Sequence, residues 1–116
     1  MDYPDLQRKT EDFLQVDVYP IVKNYPKAEK FALSQETKQC SYRMLRCVTM
    51  ANGQVPKRSK ERWLHEAEAE MNYLLILFKT ANTERYLTDR RLADLQRKCR
   101  DLGALIGGSL RHLAAN

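Results

Sequence analysis

The sequence has 116 residues, of which 43% are hydrophobic and 30% charged, with 20 Lys and Arg against 15 Asp and Glu. This length suits a single domain over residues 1–116, and four glycines with four prolines are too few for a β-sandwich. The sequence contains no run of about 18 apolar residues, so it predicts neither a membrane-spanning helix nor a membrane partner.

The N-terminal residues and the cysteines bear on the compartment in which the protein works. The first residues show neither the basic stretch nor the apolar stretch of a secretory signal. The three cysteines, Cys40, Cys47 and Cys99, are odd in number and form no CxxC pair. We therefore expect reduced thiols and a cytoplasmic protein.

Turn-forming residues divide the chain into four segments rich in helix formers. Pro20 and Pro26 bracket a first connection, residues 52–56 form a second around Gly53, and residues 82–88 form a weaker third. Ser59 and Thr88 stand where helix N-caps are favoured. The predicted helices cover roughly residues 5–24, 28–52, 59–82 and 89–113.

Apolar residues recur at steps of three and four along each predicted helix, which places them on one face. Four such faces joined by short connections predict an all-α fold, an antiparallel up-down four-helix bundle. The stripes are Leu14, Val18, Ile21 and Tyr25; Leu33, Thr37, Cys40, Met44, Cys47 and Ala51; Leu64, Ala67, Met71, Leu74, Phe78 and Ala81; and Leu92, Leu95, Cys99, Leu102, Ile106 and Leu113.

Charge is distributed unevenly over the four helices. The first and third carry more acidic than basic residues, whereas the second and fourth are basic and account for the net charge of +5. Rows of Lys and Arg opposite an apolar stripe suit a phosphate backbone, although a solvated face or neutralisation by the acidic helices explains them equally well. These residues are Lys27, Lys38, Arg43 and Arg46 on the second helix and Arg90, Arg97, Arg100 and Arg111 on the fourth.

Two features of the third and fourth helices predict association between copies of the chain. Residues 73–78 are apolar nearly all round the third helix, and we expect Tyr73, Ile76 and Leu77 to contact another subunit. Gly103 and Gly107 allow close backbone approach, partly between subunits. The alternatives are a third helix covered by the N-terminal segment and a fourth helix that frays at residues 107–108.

The sequence offers no catalytic or metal-binding pattern. The cysteines lack metal-ligand spacing, His65 and His112 are isolated, and the glutamates of the third helix lack an ExxH partner. A glycine-rich phosphate loop and a nucleophile-base arrangement are also missing from the sequence. We expect no enzyme activity, no cofactor and no metal.

Four short motifs follow one another in an order and spacing that resemble a known family. Residues 25–33 (YPKAEKFAL) resemble a PK-x-x-[RK]-[FY]-x-L entry to a second helix, and residues 74–82 and 84–87 resemble the end of a third helix and its connector. Residues 102–111 resemble a G-x-x-[IL]-G-G-W-[IL]-R end of a fourth helix, with Ser109 in place of the tryptophan. Over roughly residues 10–111, the chain resembles the accessory variability determinant (Avd) proteins of diversity-generating retroelements, whose relatives are encoded in bacterial ribosomal RNA intervening sequences.

The resemblance implies a homopentameric, barrel-like assembly of four-helix bundles with a basic surface. Such non-enzymatic proteins bind a reverse transcriptase and its template RNA or cDNA, and support error-prone reverse transcription in which adenines are mutagenised. Lys27, Lys30 and Arg111 match motif positions of that family, and the other basic residues named above follow from helix geometry. The alternative is a protein-interaction module, similar to the intervening-sequence proteins, without a retroelement role.

Overall fold

The computed structural model describes residues 3–115, which are helical over most of their length and include no strand. The first rod joins α1 (Pro4–Asp12), a π-helical segment (Phe13–Val18) and α2 (Tyr19–Lys23) without a break. A 3-10 turn (Lys27–Glu29) leads to α3 (Leu33–Ala51), and α4 (Lys57–Thr83) and α5 (Asp89–Ala115) complete the fold. The predicted all-α class with four helical rods is confirmed.

Contacts between neighbouring rods show that they run antiparallel. Between α3 and α4, the thiol of Cys40 lies 3.1 Å from the carbonyl oxygen of Glu70, whereas Lys60 reaches the carbonyl oxygen of Ala51. The pairs Asn82 with Asp89 and Met71 with Gly103 relate α4 and α5 in the same sense. Asp17 pairs with Lys98, while Phe13 and Leu102 border one groove, so the first rod is antiparallel to α5 as well.

Pro20 lies inside the first rod, as the predicted helix over residues 5–24 requires, and does not begin the connection that was expected between Pro20 and Pro26. Proline in a helix removes one hydrogen bond and crowds the carbonyl group four residues earlier. The wider π-helical turn that ends at Val18 is a known way for a helix to absorb such a disturbance. The rod therefore continues to Lys23, and the chain leaves it at Asn24 and Tyr25.

The second predicted helix begins later than expected, at Leu33 instead of near residue 28. Ala32 has φ −122° and ψ −105°, outside the helical region, so residues 27–32 form separate turns. Glu29 explains this break, because its carboxylate accepts hydrogen bonds from the Tyr86 hydroxyl at 3.0 Å and from the backbone N–H of Leu33 at 3.4 Å. Helix propensity is overridden here by a contact across the bundle.

The helix starts at α4 and α5 differ in their chemistry. α4 begins directly after Pro56, so the prediction that Ser59 caps it is wrong. Thr88 does cap α5, because its hydroxyl accepts a hydrogen bond from the backbone N–H of Arg91 at 3.1 Å.

The predicted apolar stripes converge on one core. Every stripe residue is buried except Leu33 and Leu92, which are partly buried against the core. Phe13 of the first rod meets Phe78 of α4 edge to face, with ring centroids 6.4 Å apart. The core leaves the polar faces of all four rods outside, and those faces carry the charged residues.

Candidate nucleic-acid interface

The nine predicted basic residues fall into three regions of the bundle. All are exposed except Lys38, which is partly buried. Lys27, Lys30 and Lys38 lie where the first rod passes into α3, and Arg43 and Arg46 lie midway along α3. Arg90, Arg97, Arg100 and Arg111 follow α5 from its start almost to its end.

A lysine groove of about 240 Å³ lies at the passage from α2 to α3. Pro26, with ψ 147°, is extended, and the 3-10 turn after it directs the chain back toward α3. Within residues 3–115, the four lysines that line this groove form no ion pair. The lining residues are Lys23, Lys27, Lys30 and Lys38 with Tyr19, Val22, Tyr25, Pro26 and Ser34.

Aromatic rings accompany these lysines. The Nζ atom of Lys38 lies 5.7 Å from the ring centroid of Tyr19, and that of Lys30 lies 5.4 Å from the ring centroid of Phe31. Ring faces at such distances attract cations. The Phe31 ring is 82% exposed, more than any other large hydrophobic residue of the described chain.

The acidic residue nearest these lysines in sequence, Glu29, is engaged elsewhere. Its hydrogen bond with Tyr86 joins the turn before α3 to the connection between α4 and α5, and this hydrogen bond raises the pKa of the Tyr86 hydroxyl. Tyr86 also packs against Tyr25, with ring centroids 5.8 Å apart. The two connections therefore form one end of the bundle.

We call this end, residues 23–31 and 84–91, the basic end. It brings together six basic residues from two separate stretches of sequence, and none of the six forms an ion pair within residues 3–115. Three of them, Lys23, Arg85 and Arg91, are absent from the sequence prediction. The basic residues of this end are Lys23, Lys27, Lys30, Arg85, Arg90 and Arg91.

Further along α5, the arginine row is partly neutralised. A shallow groove of about 550 Å³ is lined by Arg90, Arg91, Arg97 and Arg100, together with Ala93 and Asp94. The carboxylate of Asp94 pairs with Arg97 and lies 3.7 Å from Lys98, and the hydrogen bond from Arg97 lowers the pKa of Asp94. Arg100 extends the unpaired charge beyond this pair.

Arg111 lies apart from the other arginines. Its guanidinium folds back over residues 107–108, with Nη1 3.4 Å from where a Cβ of Gly107 would be.

Of the two arginines midway along α3, Arg43 is paired with carboxylates and Arg46 is not. Arg43 binds Glu36 at 3.2 Å and also binds Glu70 of α4, so the neutralisation considered as an alternative applies to this residue. Arg46 instead lies over Trp63, with its guanidinium carbon 5.8 Å from the ring centroid. Both arginines are exposed on the face predicted from helix geometry, whereas Lys27, predicted on the same face, lies in the 3-10 turn before α3.

The five residues predicted at an oligomer interface differ in whether they are exposed or used within their own chain. Leu77 is 8% exposed and belongs to the core of its own chain, so it is not available to a second subunit. Tyr73 and Ile76 are exposed by 38% and 57%, respectively. A Cβ at Gly103 would lie 3.1 Å from Met71 Cε, so Gly103 allows α4 and α5 of one chain to approach closely. Gly107 is partly covered by Arg111, and α5 continues past it to Ala115.

The cysteines are all buried. Burial raises the pKa of Cys40 and of Cys99 to about 12, and it raises that of Cys47 as well. Thiols held in the protonated form are poor nucleophiles and poor metal ligands. The described part of the chain contains no cluster of His, Cys, Asp and Glu suited to a metal ion.

None of the helices in residues 3–115 combines the length and the apolar character needed to cross a membrane.

Comparison with known proteins gives one family. A family model described as bAvd-like matches residues 6–113, which include all four rods from α1 into the last turn of α5. Searches among curated proteins and among solved structures found no similar protein. Because the match covers nearly the whole chain, including both connections of the basic end, this protein belongs to the bAvd-like family.

Proposed function

We propose that this protein is the non-enzymatic accessory protein of a diversity-generating retroelement. It binds the reverse transcriptase of the element and the template RNA or its cDNA, and supports mutagenic reverse transcription. Membership of the bAvd-like family supports the retroelement role. The observation that carries nucleic-acid binding is the group of unpaired cations at the basic end.

Unpaired cations contribute more to phosphate binding than the total charge of the chain does. A lysine or arginine already paired with a carboxylate, such as Arg43 or Lys98, contributes little to the free energy of phosphate binding. Lys27, Arg90 and Arg91 lie free and exposed, so contact with phosphates releases counterions from the nucleic acid. The basic end therefore supplies most of the affinity, and Arg100 extends the same surface along α5.

Association of several copies would strengthen the positive electrostatic field around the protein. Each chain carries a net charge of +5, and clefts and surfaces of one sign raise the rate at which oppositely charged partners arrive. Tyr73 and Ile76 on α4 are the exposed apolar residues that we assign to a subunit interface. The resemblance to Avd makes a homopentamer the expected assembly.

The test is the salt dependence of RNA binding. We expect the wild-type protein to bind a labelled template RNA, with a log–log slope against salt of about −0.7 for each single-strand phosphate contacted. Changing Arg90 and Arg91 together to Gln should weaken binding and make the slope shallower by about 1.4. The matched control changes Lys57 and Arg58, exposed cations at the opposite end, to Gln and should leave binding unchanged.

Binding that is absent or independent of salt would contradict nucleic-acid binding. The same protein can then be tested for capture of the reverse transcriptase encoded by its own element, which examines the accessory role separately. Capture without RNA binding would support the accessory role without nucleic-acid binding. Failure of both would favour the protein-interaction module without a retroelement role, whose docking surface would be the exposed pair Tyr73 and Ile76.

A further inference from the structure

The lysine groove has an exposed aromatic ring at its border that neither the fold nor the charge explains. Phe31 lies in the turn between the 3-10 segment and α3, outside every apolar stripe, and 82% of it is exposed. The core gains almost nothing from this ring, although burying a phenylalanine contributes about 1.5–3 kcal/mol. A large apolar group held in water points to a partner that covers it.

The turn that carries Phe31 is anchored on both sides. Backbone hydrogen bonds join Lys30 to Lys27 at 3.1 Å and Ala32 to Glu29 at 3.0 Å. The carboxylate of Glu29 is held by Tyr86 and by the N–H of Leu33. The ring is therefore presented outward by an organised turn, which lowers the entropy that binding must overcome.

The surroundings of Phe31 identify the chemistry of its partner. The Nζ atom of Lys30 lies over the ring, 5.4 Å from its centroid, and Lys30 also lines the groove that contains Lys23, Lys27 and Lys38. Lysine is depleted in the cores of protein-protein interfaces, which argues against an apolar protein partner. Sites for single-stranded nucleic acid combine exposed aromatic rings, on which bases stack, with a positively charged groove that follows the backbone.

We propose that Phe31 and the lysine groove form a site for single-stranded nucleic acid, in which the Phe31 ring stacks on an unpaired base. Lys27, Lys30 and Lys38 contact the phosphates on either side of that base. The bases of a duplex are already stacked on one another, so only an unpaired segment offers a free face to the ring. This proposal rests on the proposed function and specifies which form of nucleic acid the basic end selects.

The first test compares Phe31→Leu and Phe31→Tyr with the wild-type protein. The probes are a labelled oligouridine of about 12 nucleotides, within the range of single-strand sites, and an RNA duplex of equal length. Loss of one stacked base should weaken binding of the single strand by Phe31→Leu at least 5-fold, corresponding to about 1 kcal/mol, with the salt slope unchanged. Phe31→Tyr keeps a ring and should bind as the wild type does, and duplex affinity should be the same for all three proteins.

The second test separates the ring from the charges. Changing Lys27 and Lys30 together to Gln should weaken binding of both probes. It should also make the salt dependence of single-strand binding shallower by about 1.4 in log–log slope, whereas Phe31→Leu should leave that slope unchanged. The Lys57 and Arg58 double variant to Gln again serves as the control. Irradiation of the wild-type complex with an oligouridine containing 5-iodouridine should crosslink Phe31, as mapped by mass spectrometry, and this measurement needs no variant.

The outcomes distinguish this proposal from the one on which it rests. Salt-dependent RNA binding that Phe31→Leu leaves within twofold of wild type overturns the stacking site and leaves the proposed function standing. An equal loss of duplex and single-strand binding, or a smaller assembly mass for Phe31→Leu, also overturns it, because Phe31 would then act through the fold or a protein interface. If the wild-type protein binds neither probe, the stacking site and the nucleic-acid binding of the proposed function both fail, and only capture of the reverse transcriptase can still support the accessory role.

Discussion

Lys60 shows how one charged side chain completes the end of the bundle opposite the basic end. It is 7% exposed, and its Nζ donates hydrogen bonds to the carbonyl oxygens of Ala51 at 2.6 Å and Gly53 at 2.9 Å. These carbonyls lie at the C-terminal end of α3, where the helix dipole favours a positive charge. The ammonium group also lies over the Tyr3 ring, 5.7 Å from the ring centroid.

We expect Lys60→Met to lower the free energy of unfolding by about 1.5–3 kcal/mol, because a charged hydrogen-bond donor is lost and buried carbonyls stay unpaired. Chemical denaturation monitored by circular dichroism measures this change. Lys57→Met, on the exposed side of the same helical turn, is the control and should alter stability by less than about 0.5 kcal/mol. Equal stability of the two variants would contradict the capping role.

At the scale of the element, the connection between α4 and α5 combines strain with charge. Arg85 has φ 65°, in the left-handed region that glycine adopts readily and other residues adopt at a cost. The conformation lets the backbone N–H groups of Arg85 and Tyr86 reach carbonyl oxygens of the last turn of α4, those of Asn82 and Ala81. An arginine at a position that suits glycine is consistent with a role for its charge.

Arg85→Gly should therefore increase stability by about 1 kcal/mol and weaken RNA binding at the same time. Arg85→Asn, which also tolerates positive φ, should show the same loss of affinity with a smaller gain in stability. Denaturation midpoints and the RNA titration described above measure the two effects. A variant that gains stability and keeps full affinity would show that Arg85 takes no part in RNA binding.

At the scale of the whole molecule, α4 carries the surface through which we propose that copies of the bundle associate. Of the five residues predicted at an interface, Leu77 and Gly103 are used inside the chain and Gly107 is partly covered by Arg111. Tyr73 and Ile76 remain as the exposed apolar pair on α4. The α4 surface that carries them lies between the two ends of the bundle. Assembly through it would leave the basic end of every copy accessible.

We expect the double variant Tyr73→Glu, Ile76→Glu to be a folded monomer while the wild-type protein is an oligomer, because buried unpaired carboxylates destabilise an apolar contact. Light scattering coupled to gel filtration measures the mass. Val16→Glu is the matched control, since Val16 is also an exposed apolar residue, on the first rod, and its replacement should leave the assembly intact. A wild-type monomer would contradict the predicted oligomer.

Much of the fold followed from local rules. Spacing of apolar residues placed the stripes of all four rods on the core, because burial on one helical face depends on sequence distance alone. The outward direction of the basic rows followed for the same reason. The start of α3 did not follow from local rules, because Glu29 accepts a hydrogen bond from Tyr86, which lies 57 positions away in the chain.

The amino-acid order was sufficient to establish four amphipathic rods, the connections that follow α3 and α4, and a surplus of positive charge, since none of these depends on contacts between rods. Packing in three dimensions determined which charges remain free: Arg43 meets Glu70 and Lys98 meets Asp17, whereas Lys27 and Arg90 meet no carboxylate in residues 3–115. Packing also joined two distant connections into the basic end and left Phe31 in solvent. Ion pairs between rods and the exposure of Phe31 depend on distances between rods, and these distances are set only when the core has formed.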